Sequence, residues 1–325
     1  MNYLTISPAT IIKRAQATGY TLQMIDEKKS TYILSKDGKE VIFKGCSLDN
    51  SSSMSKICND KLLTYQVLNH WKYPTIQSNI YSIDSLDEVE QIIAASPTTI
   101  VIKPVDSAHG NGVHVWNNTQ TLEVLRLFIA DAVSFTRNKK NFLIQEFIEG
   151  EDYRFFILFG KCHWVTHRIK PYVIGDGKKT INELIETLND DPNRGAVLYT
   201  EFYNKVLLTE ELDILLSEQG VTRESILPKG KKIFLSYKCN NSVGGTEKII
   251  TDKIDPKIAK VFEDLAIRMG LEIVGIDVLH ADLKNCKSIN EIKIIELNAT
   301  PGIQTPIESV NDSTVDVILK NKFNF

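Results

Sequence analysis

Ile294-Ile295-Glu296-Leu297-Asn298-Ala299-Thr300-Pro301-Gly302 ends an apolar run with an acid and an amide two positions apart. Side chains alternate across a strand, so Glu296 and Asn298 project from one face. Upstream, Gly275-Ile276-Asp277-Val278-Leu279 sets an aspartate among aliphatic residues. Acids inside such runs are costly to bury without partners. Three oxygen donors on two strands suit the hard cation Mg²⁺, which binds through one or two carboxylates plus substrate phosphates. A polar stripe on a half-exposed sheet is the plain alternative.

Three further segments lie N-terminal to these strands. Ile100-Val101-Ile102-Lys103-Pro104 runs into Asp106-Ser107-Ala108-His109-Gly110-Asn111-Gly112. A lysine at the rim of an apolar strand, followed by a glycine-containing loop that brings backbone N–H groups close to an anion, suits a polyphosphate. A surface turn with a snorkelling lysine fits the same letters. Gln145-Glu146-Phe147-Ile148-Glu149-Gly150-Glu151-Asp152 carries a strand into an acidic turn. Exposed backbone there suits an adenine edge and a carboxylate suits ribose hydroxyls, although an ordinary solvated connection has the same composition. Arg154 and Arg168, one hairpin strand apart, suit stabilisation of negative charge on a transferring phosphoryl group; surface ion pairing is the alternative. His163 and His167 fall four apart on a strand, a poor spacing for zinc.

The rest of the 325-residue chain supplies the frame. Its length fits about two domains or one multi-lobed enzyme. Hydrophobic residues make up 42% and charged residues 24%, which excludes the disordered class. The net charge of −3 excludes a basic nucleic-acid coat. No apolar run approaches the ~20 residues of a membrane span, and the N-terminus lacks signal-peptide order. Five dispersed cysteines without a C-x-x-C pair point to a reducing cytoplasm. Ser7-Pro8 reads as a helix start and Asp37-Gly38 as a hairpin turn. Asn59 or Asp60 caps a helix beginning at Lys61, and Thr180 with Glu183 forms a capping box. Helices are expected at 119–134, 208–218 and 256–269. Strands are expected at 99–103, 142–148, 153–159, 162–169, 271–281 and 291–297. The class is mixed α+β or α/β. Ser51-Ser52-Ser53 marks an early boundary, and the expected division is 1–55, 56–138 and 139–325.

Taken in order, these segments resemble the ATP-grasp superfamily. A lysine opens a helix, then follow Lys103-Pro104, the glycine loop, the acidic turn, the arginines, Asp277, and Glu-x-Asn-x-x-Pro-Gly. The nearest resemblance is to the ATP-grasp modules of cyanophycin synthetase and of bifunctional glutamate–cysteine ligase/glutathione synthetase. It is carried by Val105–Val113, Glu149–Arg154, Val173–Gly177, Asn189–Gly195, Asn240–Thr246 and Thr251-Asp252. The resemblance implies an ATP-grasp fold of three lobes, with ATP between the central and C-terminal lobes. It assigns Lys61 and Lys103 to the phosphates and adenine, and the loop from His109 through Gly110 to Gly112 to closure over the phosphates. Gln145, Glu146, Phe147 and Ile148 would line the adenine, and Asp152 would hold the ribose. Asp277, Glu296 and Asn298 would hold two Mg²⁺ ions, with Mn²⁺ able to substitute. Arg168 would stabilise an acyl phosphate, and Arg154, His109 and Asn240 would sit near the substrate carboxylate.

The implied reaction is ATP-dependent amide formation between a carboxylate and an amine, on amino acids or short peptides. The alternatives are a peptide- or protein-modifying ligase and a non-catalytic ATP module. No Mur-ligase-like or glutamate–cysteine-ligase domain accompanies these motifs, so a stand-alone ligase is expected. Gly275 stands where D-alanine–D-alanine ligases carry arginine, which argues against that branch. The expected partners are small molecules, with neither nucleic acid nor membrane and with a homo-oligomer allowed.

Overall fold

The computed structural model describes residues 6–45, 50–94, 99–107, 110–195, 202–305 and 307–323. It divides into two compact units, each built from discontinuous stretches. Every site residue expected above except Asn240 falls in the unit made of Asn50–Ile169 and Lys248–Ala299.

That unit holds two antiparallel sheets. In the smaller one, strand Asn141–Glu146 pairs on one side with Ser78–Ser82 and on the other with Ile100–Pro104, which in turn pairs with His114–Trp116. The sheet therefore extends past residue 138, where the sequence was divided. Helix Leu122–Ser134 packs on it through Leu125, Phe128, Ile129 and Ala132. Thr121 caps the helix, its hydroxyl accepting from Val124 N, so the helix begins at Leu122, three residues later than the apolar spacing suggested. In the larger sheet, Lys161–Ile169, Glu151–Leu158, Ile273–His280 and Lys293–Asn298 lie in that order. One face is aliphatic and aromatic. Phe155, Ile157, Val165, Val274, Ile276 and Val278 pack there against Phe262, Leu265 and Met269 of helix Pro256–Met269. The pleat sends the alternate residues, including Arg154, Arg168 and Asp277, to the opposite face.

Two caps place the first lysine. Ser51, read as a boundary, accepts from Met54 N and caps helix Ser52–Asn59. Asp60 accepts from Leu63 N and caps helix Lys61–His70, so Lys61 takes the first helical position.

The other unit takes Met1–Asp49, Lys170–Glu247 and Thr300–Phe325. Its three-stranded sheet contains the expected hairpin: Asp37 and Gly38 take φ of 51° and 78°, the double positive φ that a two-residue turn demands. Helix Ile6–Ala17 includes Ser7 within its first turn and packs on helix Glu308–Phe323. Arg14 forks onto Asp316 at 2.8 and 2.6 Å. The Thr180 capping box is present, and helix Glu210–Glu218 packs through Leu212 and Leu216 against Ile181, Ile185 and Leu227.

Gly244 and Gly245 explain their own motif. Gly244 has φ +88°, and a Cβ on Gly245 would meet Cys239 O at 2.1 Å. Gly245→Ala should therefore force the backbone apart and destabilise this unit by about 2 kcal/mol, read by denaturant unfolding. An unshifted midpoint would show that the turn yields freely.

Candidate active site

On the polar face of the larger sheet, cross-strand register brings Arg154 opposite Asp277 and Arg168 opposite Asp152, with Asp277 also opposite Glu296. Arg154 donates to Asp277 from Nε at 2.6 Å and from Nη2 at 2.8 Å. Arg168 forks onto Asp152 at 2.7 and 2.9 Å and reaches Asp277 Oδ2 at 3.0 Å. Asn298 Nδ2 lies 3.2 Å from the same oxygen. Forked guanidinium–carboxylate pairs are the strong, geometry-fixing kind. Burial pushes the Asp277 carboxyl up, and Arg154 and then Arg168 more than offset it, so it lies below the usual range. Burial dominates at Asp152 and raises it, with Arg168 opposing.

The lysines meet this face from the other side of the same unit. Lys61 donates to the Ser107 carbonyl and lies 3.3 Å from Glu296 Oε1. Its own N–H bonds Val105 O at 3.1 Å. Lys103 is 6% exposed, and its Nζ donates to the Tyr65 hydroxyl at 2.9 Å. Burial pulls its pKa down to about 8, with Glu296 opposing. Tyr65 follows Lys61 by one helical turn and donates in turn to Ile295 O at 2.5 Å. The sequence reading passed over Tyr65. Its i,i+4 spacing from Lys61 was the available signal, since such residues share a helix face.

Most expected residues are thus brought together, and several make contacts that the sequence did not indicate. Asp152, expected at the ribose, turns into the arginine cluster because the pleat puts it on the Arg154 face. Gln145 is buried and donates to Ser78 Oγ. Glu146 is exposed, while Phe147 and Ile148 are half-buried, with Phe147 N donating to Thr99 O at 3.1 Å. Gly110 and Gly112 have φ of 75° and 67°. A Cβ on Gly112 would strike Pro104 and Phe135 at 2.9 Å, so packing alone demands that glycine. His109 lies outside the described residues. Asn240 belongs to the first-described unit's counterpart, where it precedes the short turn Asn241–Val243 and makes no side-chain cap.

Of the three donors expected for Mg²⁺, Glu296 is the accessible one, since both Asp277 oxygens accept from arginines and Asn298 turns Nδ2 to Asp277. The Glu296 side chain is 25% exposed, leaving it access to a cation that keeps several waters. Replacing Glu296 and Asn298 together by alanine should cut ATP-dependent turnover at least ~100-fold and raise the Mg²⁺ requirement. Unimpaired turnover in that variant would sink the assignment. A second grouping, His280, Cys286 and Glu291, is already engaged. His280 Nδ1 accepts from Asp282 N and Cys286 Sγ donates to Ser288 O, so the imidazole Nε2 keeps its proton.

Residues 58–182, which hold both lysines, the smaller sheet and both arginines, match the family model described as an ATP-grasp domain. The chain carries an ATP-grasp domain. Cyanophycin synthetase from Synechocystis is 32% identical over 228 residues, covering 70% of this chain and 25% of its own length. The glutathione biosynthesis bifunctional protein GshAB from Streptococcus mutans is 31% identical over 248 residues, covering 75% of this chain and 32% of its own. A bifunctional glutathione synthetase from Pasteurella multocida superposes with a TM-score of 0.68 at 22% identity, over 99% of this chain and 43% of that one. The fold is therefore the mixed α+β ATP-grasp fold. The chain spans about a quarter to a third of the length of these two curated relatives. ATP-grasp ligases use ATP. Among the described residues no helix is long and apolar enough to cross a membrane.

Proposed function

We propose that this protein is an ATP-dependent carboxylate–amine ligase acting on amino acids or short peptides. One observation carries the reading. Two lysines and two arginines converge with Asp277, Glu296 and Asn298 within one unit, an arrangement that receives a polyphosphate and an acid together.

In this reading a substrate carboxylate oxygen attacks the γ-phosphorus of ATP, the bond to the β-phosphate oxygen breaks, and ADP leaves. The amine nitrogen then attacks the acyl carbon, the acyl–phosphate bond breaks, and inorganic phosphate departs as the amine sheds a proton to solvent. Bound Mg²⁺ at Asp277, Glu296 and Asn298 supplies charge neutralisation for the phosphates. The side chains position and stabilise. Lys61 and Lys103 orient the polyphosphate, and Arg168 offsets charge on the transferring phosphoryl group. Arg154 orders the acid-bearing face through its fork on Asp277. His109 and Asn240 are assigned to the acid substrate, and Gln145 to Ile148 to the adenine. A cytoplasmic setting and a homo-oligomer belong to the same proposal.

The test is phosphate release from protein, Mg²⁺ and ATP across a matrix of amino acids, dipeptides and γ-glutamylcysteine, with mass spectrometry of products. Release that requires both an acid and an amine, with a product one water lighter than their sum, is expected. Intact ATP binding with silence across the matrix would overturn the small-molecule reading in favour of a peptide or protein substrate.

A further inference from the structure

We propose that Tyr65 is a positioning residue that holds Lys103 in place. What is positioned rests on the ATP-ligase reading above; the contact itself does not.

The two lysines are held in different ways. Lys61 has an acidic partner, Glu296, at 3.3 Å. Lys103 has the neutral Tyr65 hydroxyl at 2.9 Å as its one hydrogen-bond partner among the described residues. Glu296 acts on Lys103 through its charge, while the direct hydrogen bond that fixes the ammonium comes from a neutral hydroxyl. Tyr65 is 3% exposed, so its ring is fixed by packing. Its hydroxyl is oriented by donating to Ile295 O at 2.5 Å, the carbonyl next to Glu296. The hydroxyl oxygen accepts from Lys103 and also bonds the Gln145 side chain, and the Lys103 Nζ lies 5.2 Å from the ring centroid. One phenol thus ties helix Lys61–His70, strand Ile100–Pro104 and strand Lys293–Asn298 at the point where the lysine and the Glu296 strand approach. The distance between the phosphate-facing ammonium and the metal-facing strand is set through this side chain.

Tyr65→Phe keeps the ring and removes the hydroxyl's hydrogen bonds. The dissociation constant for ATP with Mg²⁺, measured by calorimetry without acid or amine, should rise about tenfold while the melting temperature falls by only a few degrees. A constant within twofold of wild type overturns the proposal, whatever happens to the melting temperature, because a merely structural role would move stability alone. A double-mutant cycle guards against a variant that folds poorly. Lys103→Met removes the other partner, so the double variant should lose less stability than the sum of the single losses. Additive losses overturn the proposal. Wild-type protein that binds no ATP would count against the ligase reading and leave the stability cycle to judge the contact.

Discussion

Asp277→Ala should abolish turnover and destabilise the fold by about 3–5 kcal/mol. Asp277 is 1% exposed and accepts from Arg154 twice, Arg168 once and Asn298 once. Removing it takes away the carboxylate that two largely buried guanidinium groups share. The loss is larger than the pair's net contribution, because deleting one partner strips neutralisation from buried charge that stays in place. Asp277→Asn separates the two effects: it keeps the volume, so its stability loss should be smaller, while turnover should still fall ~10³-fold. Denaturant unfolding and phosphate release read the two quantities. An alanine variant of near-native stability would show that the arginines find other partners. The sign with pH follows from the depressed Asp277 carboxyl. Its contribution is present above the unfolded carboxyl range near 4 and is lost as pH falls through the lower folded value. The raised Asp152 carboxyl acts the other way, favouring the folded state on acidification.

The second large effect is expected at Lys103. Lys103→Met should weaken ATP binding ~100-fold or more, since a desolvated ammonium loses far more by deletion than an exposed one. Its pKa near 8 adds a pH signature. Below pH 8 the free protein carries the charge that a phosphate needs. Above it, binding must take up a proton, so ATP affinity in the wild type should fall by about tenfold per pH unit between pH 8 and 10. Lys103→Met should be flat across that interval. A wild-type profile that is equally flat would place Lys103 away from the phosphates. The same depressed value means that the folded protein gains stability as pH rises from 8 towards the unfolded lysine range near 10.4, opposite to the binding trend.

Both results start from residues that a local reading of the chain supplies, and their size depends on partners that it does not. Glu296 and Asn298 were legible as one face because strand alternation is local, and Asp277 because an acid amid aliphatics demands a partner. Lys103 was legible at the end of its apolar strand. The partners were not. Arg154 and Asp277 are 123 positions apart, and Lys103 and Tyr65 are 38 apart. Asp152 looked like a hinge carboxylate, and only strand register gave it to Arg168. Gly112 looked like a phosphate-loop glycine, and the packing of Pro104 and Phe135 accounts for it.

The sequence by itself determined what neighbours along the chain decide. The Asp37-Gly38 turn, the Asp60 cap and the Thr180 capping box follow from backbone dihedrals and from N–H groups within a few residues of their acceptors. It also determined the ATP-grasp order of motifs. Tertiary structure alone decided which elements share a unit. Helix Glu308–Phe323 joins helix Ile6–Ala17 across some 300 positions, through the fork of Arg14 on Asp316. Tertiary structure also decided which charge neutralises which. Buried ion pairs form between whatever groups the sheet register brings within hydrogen-bonding reach, and register is settled by the packing of the opposite, apolar face.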